Sequence, residues 1–142
     1  MNVLKKLFKW IKSIRQIPKP LAKPLAKPKG RVAICVGHSR RGDKGATSLS
    51  GVTEWDYNSK VAECLGRLLK QRGFTSQVID DYPKSTYRGA MDWLKSRTPT
   101  SKFDIILELH FNSFSDTKAN GYEYLYMDES DEGEKLALAL NE

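Results

Sequence analysis

From Arg31 onward, short apolar runs alternate with stretches whose apolar residues recur at helical spacing. The apolar runs, with a period-2 alternation of tyrosines in the last of them, predict four strands, at Val32–Val36, Phe74–Asp80, Asp104–Phe111 and Tyr122–Met127. The helical stretches predict three helices, from Thr53 as N-cap to a stop at Gly73, over Ser85–Arg97 and over Ser130–Asn141. Because strands separated by such helices need crossover connections, we expect an α/β fold: a single domain with a mainly parallel or mixed sheet flanked by helices.

The first 29 residues follow a different pattern. Residues 3–17 place apolar side chains at helical spacing among lysines, which predicts a basic amphipathic helix. Residues 18–29 contain four of the six prolines and favour an extended spacer. We therefore divide the chain into an N-terminal basic amphipathic tail with a Pro-rich linker, residues 1–29, and one domain, residues 30–142.

The composition of the tail indicates what it contacts. A basic amphipathic helix that carries Phe8 and Trp10 suits an anionic membrane surface, which residues 1–17 would contact. A helix packed on the domain and an unfolded leader are the alternatives. Lysines interrupt each apolar stretch and no small-residue cleavage site follows, so the tail is not a convincing signal peptide. No apolar run is long enough to span a membrane.

The net charge of +7 belongs to this tail and not to the domain. Nine of the 24 basic residues and none of the 17 acidic residues lie in residues 1–30, so the remaining 112 residues have a net charge of −2. Since nucleic-acid-binding folds carry a basic patch on the domain itself, we expect no nucleic-acid partner. Two cysteines do not make a disulfide framework, and we expect Cys35 and Cys64 to be buried free thiols.

Three residues with metal-ligating side chains fall at one edge of the predicted sheet. His38 follows the first strand, His110 lies at the end of the third, and Glu54 begins the first helix. Because open α/β sheets bind ligands at the carboxyl ends of their strands, we expect the three side chains to converge. Two imidazoles and a carboxylate are a known catalytic zinc set, in which zinc lowers the pKa of bound water to about 7 and polarises a carbonyl.

Each of these residues also has a plainer interpretation. A lone histidine at a strand end is usually a polar loop residue. An acidic residue in the first turn of a helix is favoured by the helix dipole alone. The metal interpretation gains from the fact that the chain has only two histidines and both fall at this edge.

The same residues belong to a series of longer motifs, which are Gly37-His38, Gly42-Asp43-Lys44-Gly45-Ala46, Glu54, His110-Phe111-Asn112-Ser113 and Gly121-Tyr122-Glu123. Together they resemble the type 3 family of N-acetylmuramoyl-L-alanine amidases over about residues 31–135. The resemblance implies that His38, Glu54 and His110 bind Zn²⁺ and that the partner is peptidoglycan. It further implies hydrolysis of the amide between N-acetylmuramic acid and L-alanine, at the bacterial cell wall in the periplasm or outside the cell.

The catalytic glutamate of that family lies on a further strand near the C-terminus of the domain. The chain ends at Glu142 before such a strand, so we expect a truncated or degenerate domain that binds zinc and cleaves peptidoglycan poorly or not at all. Glu108 is the candidate substitute base, because residues i and i+2 of a strand share a face and Glu108 stands two residues before His110. In the alternative interpretation, its carboxylate orients an imidazole or pairs with Arg88.

Arg40 and Asn112 are the candidate substrate-binding residues. Arg40 would meet anionic groups of a cell-wall peptide, or else belongs to a solvated charged loop. Asn112 has the simpler interpretation of a turn-forming residue. Two other functions remain open at this point: a non-catalytic zinc module that binds the cell wall, and a membrane-active basic tail on an inert domain.

Overall fold

The computed structural model describes residues 27–83, 86–112 and 121–141. The predicted amphipathic helix of residues 3–17 and most of the Pro-rich linker lie outside these residues, so both stay predictions. Within the described part of the chain, no helix has the length and apolar composition needed to cross a membrane.

A sheet of three parallel strands with two intervening helices makes up the larger part of the described chain. In order these elements are β1 (Arg31–Val36), α1 (Glu54–Gln71), β2 (Thr75–Ile79), α2 (Tyr87–Arg97) and β3 (Ile105–Leu109). The strand order is β2-β1-β3, and both outer strands pair with β1 in parallel. Each connection between successive strands contains a helix, as parallel pairing requires. The predicted α/β fold with a mainly parallel sheet is confirmed.

The central strand β1 is buried on both faces. Side chains on one face cluster with α1 and those on the other with α2: the first cluster includes Val32, Ile34, Val36 and Ala62, and the second includes Ala33, Cys35, Ala90 and Leu94. A strand covered on both faces needs apolar residues at every position, which explains why its sequence is a continuous apolar run.

Both cysteines are free thiols, as predicted, but they differ in burial. Cys35 is fully buried in the α2-facing cluster. Its burial, together with the negative charge of Glu108, raises the pKa of the Cys35 thiol to about 12, so this thiol is a packing group and not a nucleophile. Cys64 lies on α1 and is only partly buried, which corrects the prediction of full burial at that position.

A second, smaller compact unit begins at His110. It contains α3 (Asp131–Leu140), whose N-cap Ser130 accepts a hydrogen bond from the Gly133 N–H. The Tyr124 hydroxyl donates to the Leu140 carbonyl at 2.9 Å, near the end of α3.

The prediction of a fourth strand at Tyr122–Met127 is wrong. In the described residues the sheet has three strands, and none of them includes residues 121–127. Alternating tyrosines indicate which side chains share a face of an extended chain. A strand also needs the backbone of a neighbouring strand as its hydrogen-bond partner, and the alternation carries no information about that partner.

Candidate metal centre

His38 stands at a sharp bend just after β1. Its backbone φ is 67°, a left-handed conformation that residues other than glycine seldom adopt. Two backbone hydrogen bonds flank the bend: Gly37 N–H donates to the Leu109 carbonyl of β3, and Ser39 N–H donates to the Asp43 carbonyl, both at 2.8 Å. Backbone strain of this kind is concentrated at functional sites, where the surrounding structure maintains it.

Glu54 is the first residue of α1, and its side chain is only 3% exposed. Thr53 caps the helix as predicted, because its side chain accepts a hydrogen bond from the Asp56 N–H. Two hydrogen bonds join Glu54 to the preceding loop. Its N–H donates to the Ala46 carbonyl at 2.8 Å, and the Ala46 N–H donates to Oε2 at 3.1 Å. A buried carboxylate needs such donors, since burial of an unpaired charge is costly.

The structure brings the three predicted ligands together. His38 Nε2 lies 3.3 Å from Glu54 Oε2. His110 directly follows Leu109, which pairs with Val36 across β1 and β3. One ligand atom from each of the three residues lies within 4.8 Å of the other two, so this group has the geometry to hold a metal ion.

The donor set and its spacing fit zinc. With bonds of about 2.0–2.1 Å in a tetrahedral site, neighbouring ligand atoms stand about 3.3–3.4 Å apart. His38 and Glu54 have this separation. Two imidazole nitrogens and one carboxylate oxygen leave a fourth tetrahedral position for water or substrate, which is the pattern of catalytic zinc sites.

A short loop, residues 43–46, contacts both His38 and Glu54. Asp43 Oδ2 lies 3.2 Å from His38 Nδ1, and Asp43 Oδ1 accepts a hydrogen bond from the Gly45 N–H at 2.9 Å. The Gly45 hydrogen bond, followed by the charge of His38, holds the pKa of Asp43 below its usual range. Asp43 is therefore an ionised acceptor at neutral pH.

Gly45 allows this loop to approach the ligands closely. Its φ is 76°, and a Cβ atom there would stand 2.5 Å from Glu54 Oε2 and 2.6 Å from His38 Cδ2. In the sequence, Asp43 and Gly45 stood out only as members of a motif, with no role assigned to either. The signal that could have identified them is the Asp-x-Gly spacing, because an aspartate often bonds the backbone two residues on and glycine tolerates a positive φ.

Glu108 lies in β3, in register with Cys35 of β1. Its neighbours Leu107 and Leu109 pack in the α1-facing cluster, so Glu108 belongs to the opposite face of the sheet. The strand ends at Leu109, and the metal-binding group contains His110 without Glu108. The alternation of faces holds only within the strand and does not extend to His110, one residue beyond its end. The role of Glu108 as a base stays a prediction.

Arg40 is exposed, and its guanidinium carbon lies 5.9 Å from the centre of the Trp55 ring. The Lys44 ammonium lies 5.6 Å from the same ring, and the Trp55 indole N–H donates to the Asp80 carbonyl at 2.6 Å. Two cations therefore lie near the ring of Trp55, which follows the candidate ligand Glu54 in the chain. The sequence assigned Trp55 no role, although its position directly after a candidate ligand was visible. Substrate binding by Arg40 stays a prediction.

Asn112 lies within the second unit, and its side-chain amide donates to Glu123 Oε1 at 3.0 Å. This bond joins two of the motifs noted in the sequence, the one that begins at His110 and the one that ends at Glu123. It accounts for Asn112 as a structural residue, and substrate binding by Asn112 stays a prediction.

A profile of the family described as N-acetylmuramoyl-L-alanine amidase matches residues 32–142. The chain belongs to this amidase family. The resemblance found in the sequence motifs is confirmed. No curated protein and no solved structure matches the chain.

Membership in the amidase family places the chain among hydrolases that act on peptidoglycan. The matched residues begin in β1 and include all three members of the metal-binding group.

Proposed function

We propose that this chain is a zinc-dependent N-acetylmuramoyl-L-alanine amidase that hydrolyses the amide between N-acetylmuramic acid and L-alanine in peptidoglycan. The observation that carries the proposal is the convergence of His38, Glu54 and His110 within 4.8 Å in a chain of this family. The site of action is the bacterial cell wall, where the substrate is found.

The ligand set accounts for the choice of metal. His38 and His110 offer neutral imidazole nitrogens, and Glu54 adds one negative charge that partly neutralises a dication. When bound, zinc supplies a Lewis acid that acidifies water and polarises an amide carbonyl. The backbone N–H of Ala46 holds the Glu54 carboxylate in place, so the chain itself fixes one ligand of the set.

The positive charges of Arg40 and Lys44 suit an anionic substrate. The stem peptide of peptidoglycan carries carboxylates, and Arg40 and Lys44 lie beside Trp55, next in the chain to Glu54. Lys44 also approaches Asp56 at 3.4 Å, whereas Arg40 is exposed. We assign Arg40 to binding an anionic group of the peptide on this basis.

Zinc content is the first test. The purified chain should hold close to one zinc, and His38→Ala or His110→Ala should abolish binding, because two protein ligands seldom retain zinc in water. Glu54→Ala should weaken it, with Glu63→Ala, an exposed glutamate of the same helix, as the matched control. Elemental analysis after reconstitution measures the content, and an unaltered chain without zinc would reject the proposed site.

Release of stem peptide from muropeptides is the second test. If Glu108 acts as the general base, Glu108→Gln should slow release on the order of 10²–10⁴-fold and Glu63→Gln should not. Release at an unchanged rate in Glu108→Gln would remove that role from Glu108.

The same assay separates hydrolysis from binding alone. A non-catalytic cell-wall module would co-sediment with purified sacculi and release no peptide at any enzyme concentration. Release that disappears with chelator and returns with zinc would support the amidase.

A further inference from the structure

The loop of residues 43–46 contacts the proposed metal ligand His38. The Asp43 carboxylate lies beside the ring nitrogen of His38 that does not face Glu54. His38 has two ring nitrogens. Nε2 lies 3.3 Å from Glu54 Oε2, and Nδ1 lies 3.2 Å from Asp43 Oδ2. The nitrogen that faces Glu54 is the one available to a metal shared with Glu54, so Asp43 faces the remaining nitrogen.

The protonation pattern around Asp43 follows from elementary donor chemistry. An ionised carboxylate only accepts hydrogen bonds, and its Oδ1 already accepts from the Gly45 N–H, which is always a donor. Oδ2 therefore favours a proton on His38 Nδ1, whereas the Glu54 carboxylate, 3.3 Å from Nε2, favours a proton on Nε2 in the metal-free protein. A neutral imidazole with its proton on Nδ1 has its lone pair on Nε2, which is the form that binds a metal.

We propose that Asp43 is a positioning residue for His38: it favours the tautomer with the proton on Nδ1, in competition with Glu54 at Nε2, and thereby raises the affinity of the site for zinc. The metal part of this inference rests on the proposed function, and the tautomer part does not. Such a partner behind a metal-bound histidine typically changes metal affinity by 10–100-fold. Because the Asp43 side chain is 76% exposed, we expect an effect at the lower end, about tenfold.

Two substitutions separate this role from a merely structural one. In Asp43→Asn, the single amide oxygen should accept from the Gly45 N–H, so the NH₂ group faces His38 and favours the tautomer with the proton on Nε2. In Asp43→Ala, Nδ1 faces water and loses its carboxylate acceptor, while Glu54 Oε2 still favours a proton on Nε2. The inference therefore expects the isosteric Asn variant to bind zinc more weakly than Ala, whereas a structural role predicts that Asn is the milder change.

Nitrogen NMR of the metal-free, ¹⁵N-labelled protein gives a direct readout, since the chain has only two histidines. At a pH where the imidazoles are neutral, the fraction of His38 protonated on Nδ1 should be larger in the unaltered chain than in Asp43→Asn. Zinc affinity by competition with a chelator should fall about tenfold in Asp43→Asn and less in Asp43→Ala. Asp92→Asn, which removes the same charge from an exposed position on α2, should change neither quantity.

The outcomes distinguish the two proposals. An unaltered chain that binds no zinc would reject the proposed function, and the tautomer of His38 would still decide the role of Asp43. An Asp43→Asn protein that keeps the same fraction protonated on Nδ1, or binds zinc as tightly as the unaltered chain, would overturn the inference. If Asp43→Asn fails to fold, Asp43→Ala with a smaller fraction protonated on Nδ1 supports the inference, and one with an unchanged fraction rejects it.

Discussion

Between Arg31 and Leu109 the chain buries its apolar residues against a sheet, whereas residues 121–141 leave theirs largely in solvent. Val32, Ile34 and Val36 are at most 2% exposed, while Leu125 is 86% exposed and Met127 80%. No residue in 121–141 is buried. The first region is maintained by pairing and packing between residues far apart in sequence, and the second by contacts within about 20 residues, such as the Tyr124–Leu140 hydrogen bond.

This difference bears on the candidate metal centre. His38 and Glu54 belong to the first region, where the strand end, the loop of residues 43–46 and the start of α1 hold each other through backbone hydrogen bonds. Precise placement of a ligand depends on rigid supporting elements. The proposed site therefore takes two of its three ligands from the part of the chain with the buried core.

The largest expected contrast is in core packing. Ile34→Ala should lower the free energy of unfolding by about 2–5 kcal/mol, because the Ile34 side chain is fully buried between the sheet and α1 and its truncation leaves a cavity. Leu138→Ala in α3, at a side chain 63% exposed, should change it by less than about 0.5 kcal/mol. Denaturant unfolding measures both. Equal effects would show that residues 121–141 contribute to the core as strongly as β1 does.

The next contrast is between two glycines of the β1–α1 connection. Gly45→Ala and Gly51→Ala both place a Cβ at a positive φ, which costs about 1–2 kcal/mol in each case. A Cβ at Gly45 would also collide with His38 and Glu54, whereas none of the described atoms lies within 4 Å of a Cβ at Gly51. We therefore expect zinc affinity to fall more than tenfold in Gly45→Ala and to stay unchanged in Gly51→Ala. A chelator competition that finds the two variants alike would contradict the close approach of the loop.

A smaller contrast concerns the helix caps. Thr53→Ala and Ser130→Ala each remove the side chain that accepts a hydrogen bond from the first turn of a helix, at a cost of about 1 kcal/mol to that helix. The loss at Thr53 should appear in the global free energy of unfolding, since α1 packs on the sheet. The loss at Ser130 should appear as faster amide exchange in α3 alone, because α3 has no buried residue. Global destabilisation by Ser130→Ala would reject this local behaviour.

The smallest expected effect belongs to the N-terminal tail. From its sequence, a peptide of residues 1–30 should bind anionic vesicles and show a blue shift in Trp10 fluorescence. Binding should weaken as salt rises, because charges are screened over about 8–10 Å near physiological ionic strength. The isolated peptide avoids the signals of Trp55 and Trp93. Without any shift on anionic vesicles, the tail would be only a tether.

Sequence periodicity predicted the elements that pack on the sheet, for an identifiable reason. The apolar run of β1 and the apolar stripe of α1 are direct consequences of burial, so both are visible in the residues themselves. The ligand edge was also predictable, since a parallel sheet places the carboxyl ends of its strands together. The predicted strand at Tyr122–Met127 was wrong, because the tyrosines alternate there but no strand among the described residues pairs with this segment.

The contacts around the candidate ligands could not be predicted from the pattern of residue types. The left-handed bend at His38, the two acceptor bonds of Asp43 and the close approach of Gly45 depend on how a loop folds back on its own helix. Such geometry has no periodicity. It is specified by a few hydrogen bonds between residues up to about ten positions apart, and only coordinates reveal which ones form.

The connection between β1 and α1 also contains a surface turn that tolerates inserted residues. Thr47 and Thr53 form an isolated bridge, and Ser48 N–H donates to the Val52 carbonyl, so residues 48–52 form a closed turn with Leu49 fully exposed at its tip. Residues inserted at that tip would extend into solvent while the Ala46–Glu54 hydrogen bonds below it stay intact. Loop grafting between Leu49 and Ser50 is accordingly a way to add a peptide segment to this connection without changing the residues that hold Glu54.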